Sequence, residues 1–272
     1  ADGLPPFALG ARAPRTPFGR GAWRALSGLT LKGFERGRNE LNVTRTNVGL
    51  PPVDRLLGGV SELLCLVGTF SGLEYPRAWP NSVQVTGPLF WEPPSTGVVP
   101  EPGESSVVLI APSTAHDPDH VLVQTALAAL ADKPVRVIAT WNNRTPDPLP
   151  PLPANATVVD WLSYSQTMPH CDVVVTHAGH GTLSRALASG CSVVACPETG
   201  DMLENAARVA WAGAGVRIPR QLLSERALEL AVARAINDRA MRIRAGEFAV
   251  QAREAPGTKA AASAVERAAL TV

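Results

Sequence analysis

From residue 107 onward, short runs of apolar and β-branched residues alternate with longer stretches in which Ala and Leu recur at helical spacing. The runs cover 107–111, 135–140, 157–160, 172–176, 192–196 and 216–217. Strands that are apolar on both faces suit the interior of a parallel sheet covered by helices on each side. Their alternation with helices is the pattern of a doubly wound α/β domain. Sheets of this kind bind ligands beyond the carboxyl ends of their strands. The residues that follow each run are therefore the ones to search for chemistry.

Before residue 107 the pattern is less regular. Residues 1–55 are rich in Gly, Pro and Arg and predict one amphipathic helix over 23–48, closed by Gly49-Leu-Pro-Pro52. Strands are predicted over 62–70 and 82–86. The Pro/Gly/Ser-rich stretch 92–104 reads as an interdomain linker. A final helix is predicted over 259–270. Two strands alone leave sheet edges and apolar surface uncovered, so poor order is expected up to about Pro88. The expected division is a partial amino-terminal domain over 1–91, a linker over 92–105, a ligand-binding α/β domain over 106–258 and a terminal helix over 259–272.

Composition narrows the classes. The chain has 272 residues, 45% of them hydrophobic, and a formal net charge of +1. No basic stripe points to nucleic acid and no polybasic face to a membrane. No apolar run approaches the ~20 residues needed to span a bilayer, and no signal-peptide pattern opens the chain, so a cytoplasmic location is expected. Cys65, Cys171, Cys191 and Cys196 form no CxxC pair and read as free thiols, three of them in or beside apolar runs. His170, Cys171, His177, His180, Cys191 and Cys196 lie close in sequence, yet neither HExxH nor a paired CxxC framework is present, so no metal is expected.

The richest segment runs from Val173 to Gly190. A strand ends at Thr176, and a loop with two histidines and two glycines leads into a helix. Gly179 and Gly181 let backbone amides approach a ligand where a side chain would stand in the way. Thr182 is placed to cap the helix, whose amides and positive dipole end would hold a diphosphate without a metal. His177 offers a further donor. Other strand ends add candidates with open alternatives. Pro112-Ser113-Thr114 is a phosphate-facing turn or a helix cap. Trp161 is a stacking surface for a base or a packing residue. Asp201, after Pro197-Glu-Thr-Gly200, accepts from sugar hydroxyls or is a solvated carboxylate.

Four blocks in order resemble the donor-binding signature of family 1 glycosyltransferases: Val159-Asp-Trp161, Met168-Pro-His-Cys-Asp172, Thr176-His-Ala-Gly-His-Gly-Thr182 and the segment from Cys196 to Ala207. Val85-Thr-Gly-Pro-Leu89 is similar to the segment before that family's interdomain linker. The resemblance implies a GT-B-like architecture, with a carboxy-terminal Rossmann-like domain holding a UDP- or dTDP-sugar and a partial amino-terminal α/β domain on the acceptor side. It implies an inverting, metal-independent transfer to a hydroxyl of a small-molecule or lipid-like acceptor, with no cofactor. Carried over by position, Trp161 stacks on the base, and Ser113, His177, Gly179, Gly181 and Thr182 surround the diphosphate. Asp201 holds the sugar, and Asn205 opens the helix after the sugar loop.

Three departures accompany the match. Arg185 stands where many relatives place a ribose-binding glutamate, and reads as a phosphate contact or a solvated position. Met202 stands where they place a glutamine, and fits a less hydroxylated sugar or simple packing. The family's general-base histidine lies early in the first domain, and no histidine precedes His116 here, so the catalytic base stays unassigned and the amino-terminal half of that domain is expected to be missing. Alternative readings are a silent nucleotide-sugar-binding partner, or an epimerase or hydrolase on the same fold using Glu198 and His180 as acid and base.

Overall fold

The computed structural model describes residues 3–7, 9–55, 61–101, 103–114 and 117–270. Its centre is a parallel sheet made by β3 (Ser106–Ala111), β4 (Val135–Thr140), β5 (Ala156–Val159), β6 (Val173–Thr176), β7 (Ser192–Ala195) and β8 (Gly215–Arg217). Each of the six strands expected after residue 106 is present, with ends shifted by at most one residue, whereas the strand expected over 62–70 shrinks to Cys65–Val67. The strands lie in the order β5-β4-β3-β6-β7-β8, so the chain winds outward from β3 in one direction and then returns to wind in the other. The order reverses between β3 and β6. Ligands of open α/β sheets bind at such a switch point, outside the carboxyl ends of the strands.

Both faces of the sheet are covered, which is why its strands read as unbroken apolar runs. Val108, Ile110, Val137, Val173 and Val175 point to one side, into a core shared with α2 (Val121–Leu130) and α6 (Glu225–Asn237). Val107, Leu109, Val174 and Val193 point to the other, against α4 (His180–Ala188), α5 (Asp201–Ala212) and α7 (Arg239–Glu254). Burying each such side chain contributes about 1.5–3 kcal/mol. A short helix, α3 (Tyr164–Thr167), follows β5.

The amino-terminal segment contains α1 (Pro17–Asn47) and two parallel strands, β1 (Cys65–Val67) and β2 (Val83–Val85). Helix α1 starts earlier than the apolar spacing predicts. Thr16 accepts a hydrogen bond from the Gly19 amide, and Pro17 takes the first helical position, where its missing N–H costs nothing. Packing corrects the expectation of poor order up to Pro88 only around residues 70–75; α1 is exposed along most of its length. Phe70, Leu73 and Tyr75 are buried, and the Phe70 ring lies 5.1 Å from that of Phe248 on α7. Phe70 and Leu73 thus tie the chain after β1 into the second core instead of leaving it to the two-stranded sheet alone.

The stretch after it is held as well. Glu92 accepts from the amides of Tyr164 and Ser165, and the Val98 amide donates to Thr167 Oγ1. The last helix, α8 (Gly257–Ala269), begins directly on the Gly87-Pro88 backbone, where a Cβ on Gly257 would overlap both residues. Among the described residues no helix is long and apolar enough to cross a membrane, and the four cysteines are free thiols.

Candidate functional site

The chain leaves β3 through Pro112-Ser113 and β6 through His177, so two loops meet at the switch point. The Ser113 amide donates to His177 Nδ1 at 2.9 Å. An accepting Nδ1 puts the ring proton on Nε2, which lies 3.7 Å from Asp117 Oδ2, beyond hydrogen-bond distance. His177 is 1% exposed. Its ring therefore forms the floor of the loop that the sequence marks as a phosphate site. Asp117 accepts from the Val121 and Leu122 amides at 2.8 and 3.1 Å and so caps α2. That leaves Ser113 engaged with His177 and settles the helix-cap alternative for 112–114 in favour of Asp117.

Beyond His177, Ala178 adopts a left-handed backbone, φ 64°, and turns the chain straight into α4. Gly179 is the N-cap residue, and the first helical bond runs from the Leu183 amide to the Gly179 carbonyl. Thr182 is thus inside the first turn. Its expected capping role is corrected, because the left-handed step at Ala178 starts the helix before Thr182 is reached. No side chain caps the helix, and its first turn holds no acid. The amides of His180, Gly181 and Thr182 precede the first helical bond and face outward from the positive end of the dipole. A Cβ built on Gly179 or Gly181 meets nothing within 4 Å, so internal packing does not demand glycine at either position. Bare amides at a helix start, beside open space, are an anion site.

Asp201 opens α5, and Asn205 sits one turn on. The Asn205 side-chain amide donates to the Ala178 carbonyl at 3.0 Å and to Asp201 Oδ2 at 3.2 Å, tying the Asp201 carboxylate to the left-handed turn. Asp201, Asn205 and His180 line one wall of a cleft of about 280 Å³, whose facing wall includes Gly68 and Thr69. His180 Nε2 lies 2.9 Å from the Gly68 carbonyl and bridges the two. Trp161, 37% exposed, stands at the end of β5 on the same edge. At the usual strand spacing, three steps from β5 to β6 span on the order of 14 Å. Ser113, His177, Gly179, Gly181, Thr182, Asp201 and Asn205 thus gather at the middle of one sheet edge, with Trp161 at its flank.

The departures find partners in the structure. The Arg185 guanidinium lies over the Phe90 ring at 4.5 Å, and the residue is partly exposed. Met202 is 6% exposed and packs inside. Glu198 is ion-paired with the exposed Arg220 at 2.6 Å.

Other site features carry no local sequence signal. Asn142 and Asn143 are both left-handed, with φ of 54° and 59°, and Arg144 follows them at the end of β4. Under the cleft, Arg208 pairs with Glu204 and Glu74 and lies over the Tyr75 ring at 4.8 Å. Burial raises the pKa of Glu204, although Arg208 pulls it down. Burial also pushes the Cys171 and Cys196 thiols up to about 12, which leaves both unreactive. Among the described residues no cluster of His, Cys, Asp and Glu is arranged to hold a metal.

The family model of the erythromycin biosynthesis protein CIII-like C-terminal domain matches residues 124–267, more than half of the chain. A relative, the 4'-demethylrebeccamycin synthase of Lentzea aerocolonigenes, is 32% identical over 256 residues, covering 89% of this chain and 60% of that protein. The O-mycaminosyltylonolide 6-deoxyallosyltransferase of Streptomyces fradiae is 33% identical over 222 residues, covering 76% and 51%. The chain therefore spans little more than half the length of these relatives. Among solved structures, the glycosyltransferase VinC in complex with dTDP superposes with a TM-score of 0.64 at 22% identity, over 85% of this chain and 58% of that one. By the extent of its match, the chain belongs to the family of the erythromycin biosynthesis protein CIII-like C-terminal domain, and the relatives and structures it resembles are natural-product glycosyltransferases of GT-B fold.

Proposed function

We propose that this chain carries the donor site of a glycosyltransferase that moves a sugar from UDP or dTDP to a hydroxyl of a small natural-product or lipid-like acceptor. The observation that carries the reading is the uncapped start of α4, where the His180, Gly181 and Thr182 amides face outward beside glycines that packing does not require. The diphosphate lies on these amides and on the Ser113 loop. His177 backs both, and the base extends toward Trp161 along the strand edge. Asp201, oriented by Asn205, accepts from the sugar's hydroxyls. The buried Met202 offers no donor beside it, which suits a deoxysugar such as the one named for the Streptomyces fradiae relative.

In the reaction the acceptor oxygen attacks the anomeric carbon from the face opposite the diphosphate. The bond from that carbon to the β-phosphate oxygen breaks, its electron pair leaves with the diphosphate, and the configuration inverts. The helix amides stabilise the charge that builds on the departing oxygens, the task a metal would otherwise perform. The acceptor's proton passes to a general base that we assign to no residue of this chain. Calorimetric titration with UDP and with dTDP in EDTA tests the reading. We expect binding of at least one nucleotide, weakened in His177→Ala; no heat from either nucleotide refutes it.

A further inference from the structure

A donor site without a metal benefits from a fixed cation near the diphosphate, and Arg185, the one the sequence singles out, is occupied with Phe90. We infer that Arg144, at the turn after β4, supplies that cation. This rests on the donor-site reading above and adds a residue to it. Arg144 Nη2 donates to the Ser113 carbonyl at 3.0 Å, while the amide of the same Ser113 donates to His177 Nδ1 at 2.9 Å. The guanidinium is thus anchored one residue from the switch point.

The turn is built to hold it there. Two successive left-handed residues, Asn142 and Asn143, reverse the chain, and the Arg144 amide closes the turn on the Trp141 carbonyl at 3.2 Å. Backbone of this kind persists only where its surroundings fix it, and it clusters at functional sites. Here the Asn142 side-chain amide is fixed on the Pro112 carbonyl at 2.8 Å, so Asn142 and Arg144 together clasp the segment Pro112-Ser113. The nearest acid in sequence, Asp147, is exposed, and Asp160, at the end of β5, accepts from Thr145 Oγ1 at 2.6 Å. Among the described residues no carboxylate pairs with Arg144, and its Nε is buried without a partner. A half-buried guanidinium with one neutral acceptor and no counter-charge is under-satisfied. A phosphate oxygen at the Ser113 loop supplies the missing charge, and the planar fork engages Ser113 and phosphate at once.

The test separates this from a merely structural clasp. UDP and dTDP are titrated calorimetrically, and uridine and thymidine by ligand-observed NMR, against the parent chain, Arg144→Gln and Arg144→Lys, with melting temperatures measured alongside. We expect Arg144→Gln to weaken the diphosphates by about tenfold or more while changing the nucleosides by less than about twofold, with Arg144→Lys in between. Unchanged diphosphate affinity, or an equal loss for nucleosides and diphosphates, overturns the assignment. If Arg144→Gln melts well below the parent, Arg144→Lys decides: a parent-like ratio of diphosphate to nucleoside affinity counts against Arg144. A parent chain that binds neither nucleotide refutes the donor-site reading itself, whereas a binding parent with an indifferent Arg144→Gln refutes only this inference.

Discussion

Substituting Gly181→Ala is expected to move stability and binding in opposite directions. Gly181 lies in the first turn of α4, and a Cβ there meets no atom within 4 Å. Ala is favoured over Gly in a helix by about 0.5–1 kcal/mol, so with no clash to offset it the variant should melt higher, by about 1–4 °C for a protein of this size. The same methyl group occupies the space through which a phosphate oxygen reaches the amides. Loss of one charge-assisted hydrogen bond costs about 1.5–3 kcal/mol, equivalent to about 10- to 100-fold in affinity for UDP or dTDP. Thermal unfolding and calorimetric titration on one preparation read both effects. General disruption of the fold would lower both quantities, so it cannot imitate this outcome. A raised melting temperature with unaltered affinity would refute the claim that a ligand approaches Gly181. A lowered melting temperature would refute the geometry assigned to the start of the helix.

Asn205→Ala removes the bond to the Ala178 carbonyl; a loss of about 1 kcal/mol in chemical denaturation is expected, together with weaker nucleotide-sugar binding as Asp201 loses its orienting partner. Gly257→Ala places a methyl group against the Gly87 and Pro88 backbone, and urea unfolding should show a cost of about 1–3 kcal/mol; a neutral result would mean that α8 does not sit on that segment. Glu92 tests the linker through pH. Burial raises its pKa, but hydrogen bonds from Ser165, Tyr164 and Ser163 outweigh this and hold it below the ordinary value. Its stabilisation is therefore complete above the unfolded carboxylate pKa of about 4.3 and fades as pH falls through the lower folded value. Glu92→Gln should melt below the parent at pH 7 and converge with it in acid; a constant difference across pH would show that charge is not the cause.

The ligand-binding sheet was legible because its signal is local. Runs such as Val173-Val-Val175 announce a strand buried on both faces whatever else the chain does, and the glycines after His177 mark the loop without reference to any distant residue. What each loop side chain does was less accessible, because the answer lies far away in sequence. His177 reads as a projecting ligand until Ser113, 64 residues earlier, claims its Nδ1. Thr182 reads as a cap until the left-handed step at Ala178 is seen, and nothing in an alanine advertises that conformation. Arg144 was passed over for the same reason, since its place depends on two asparagines whose backbone angles no propensity dictates.

The amino-terminal segment shows the complementary failure. Its two strands predict an incomplete sheet, and that inference treats each domain as closed in itself. Phe70 and Leu73 instead complete the core beneath α5 and α7, and Phe90 takes the Arg185 guanidinium. One wall of the cleft beside Asp201 is built from Gly68 and Thr69, with His180 joining that wall to the start of α4. The helix whose amides form the proposed anion site is therefore braced by residues from before the linker. In physical terms the proposed donor site belongs to both parts of the chain, so the segment up to Pro88 helps set where α4 points even though the residues proposed to meet the nucleotide-sugar all follow residue 112.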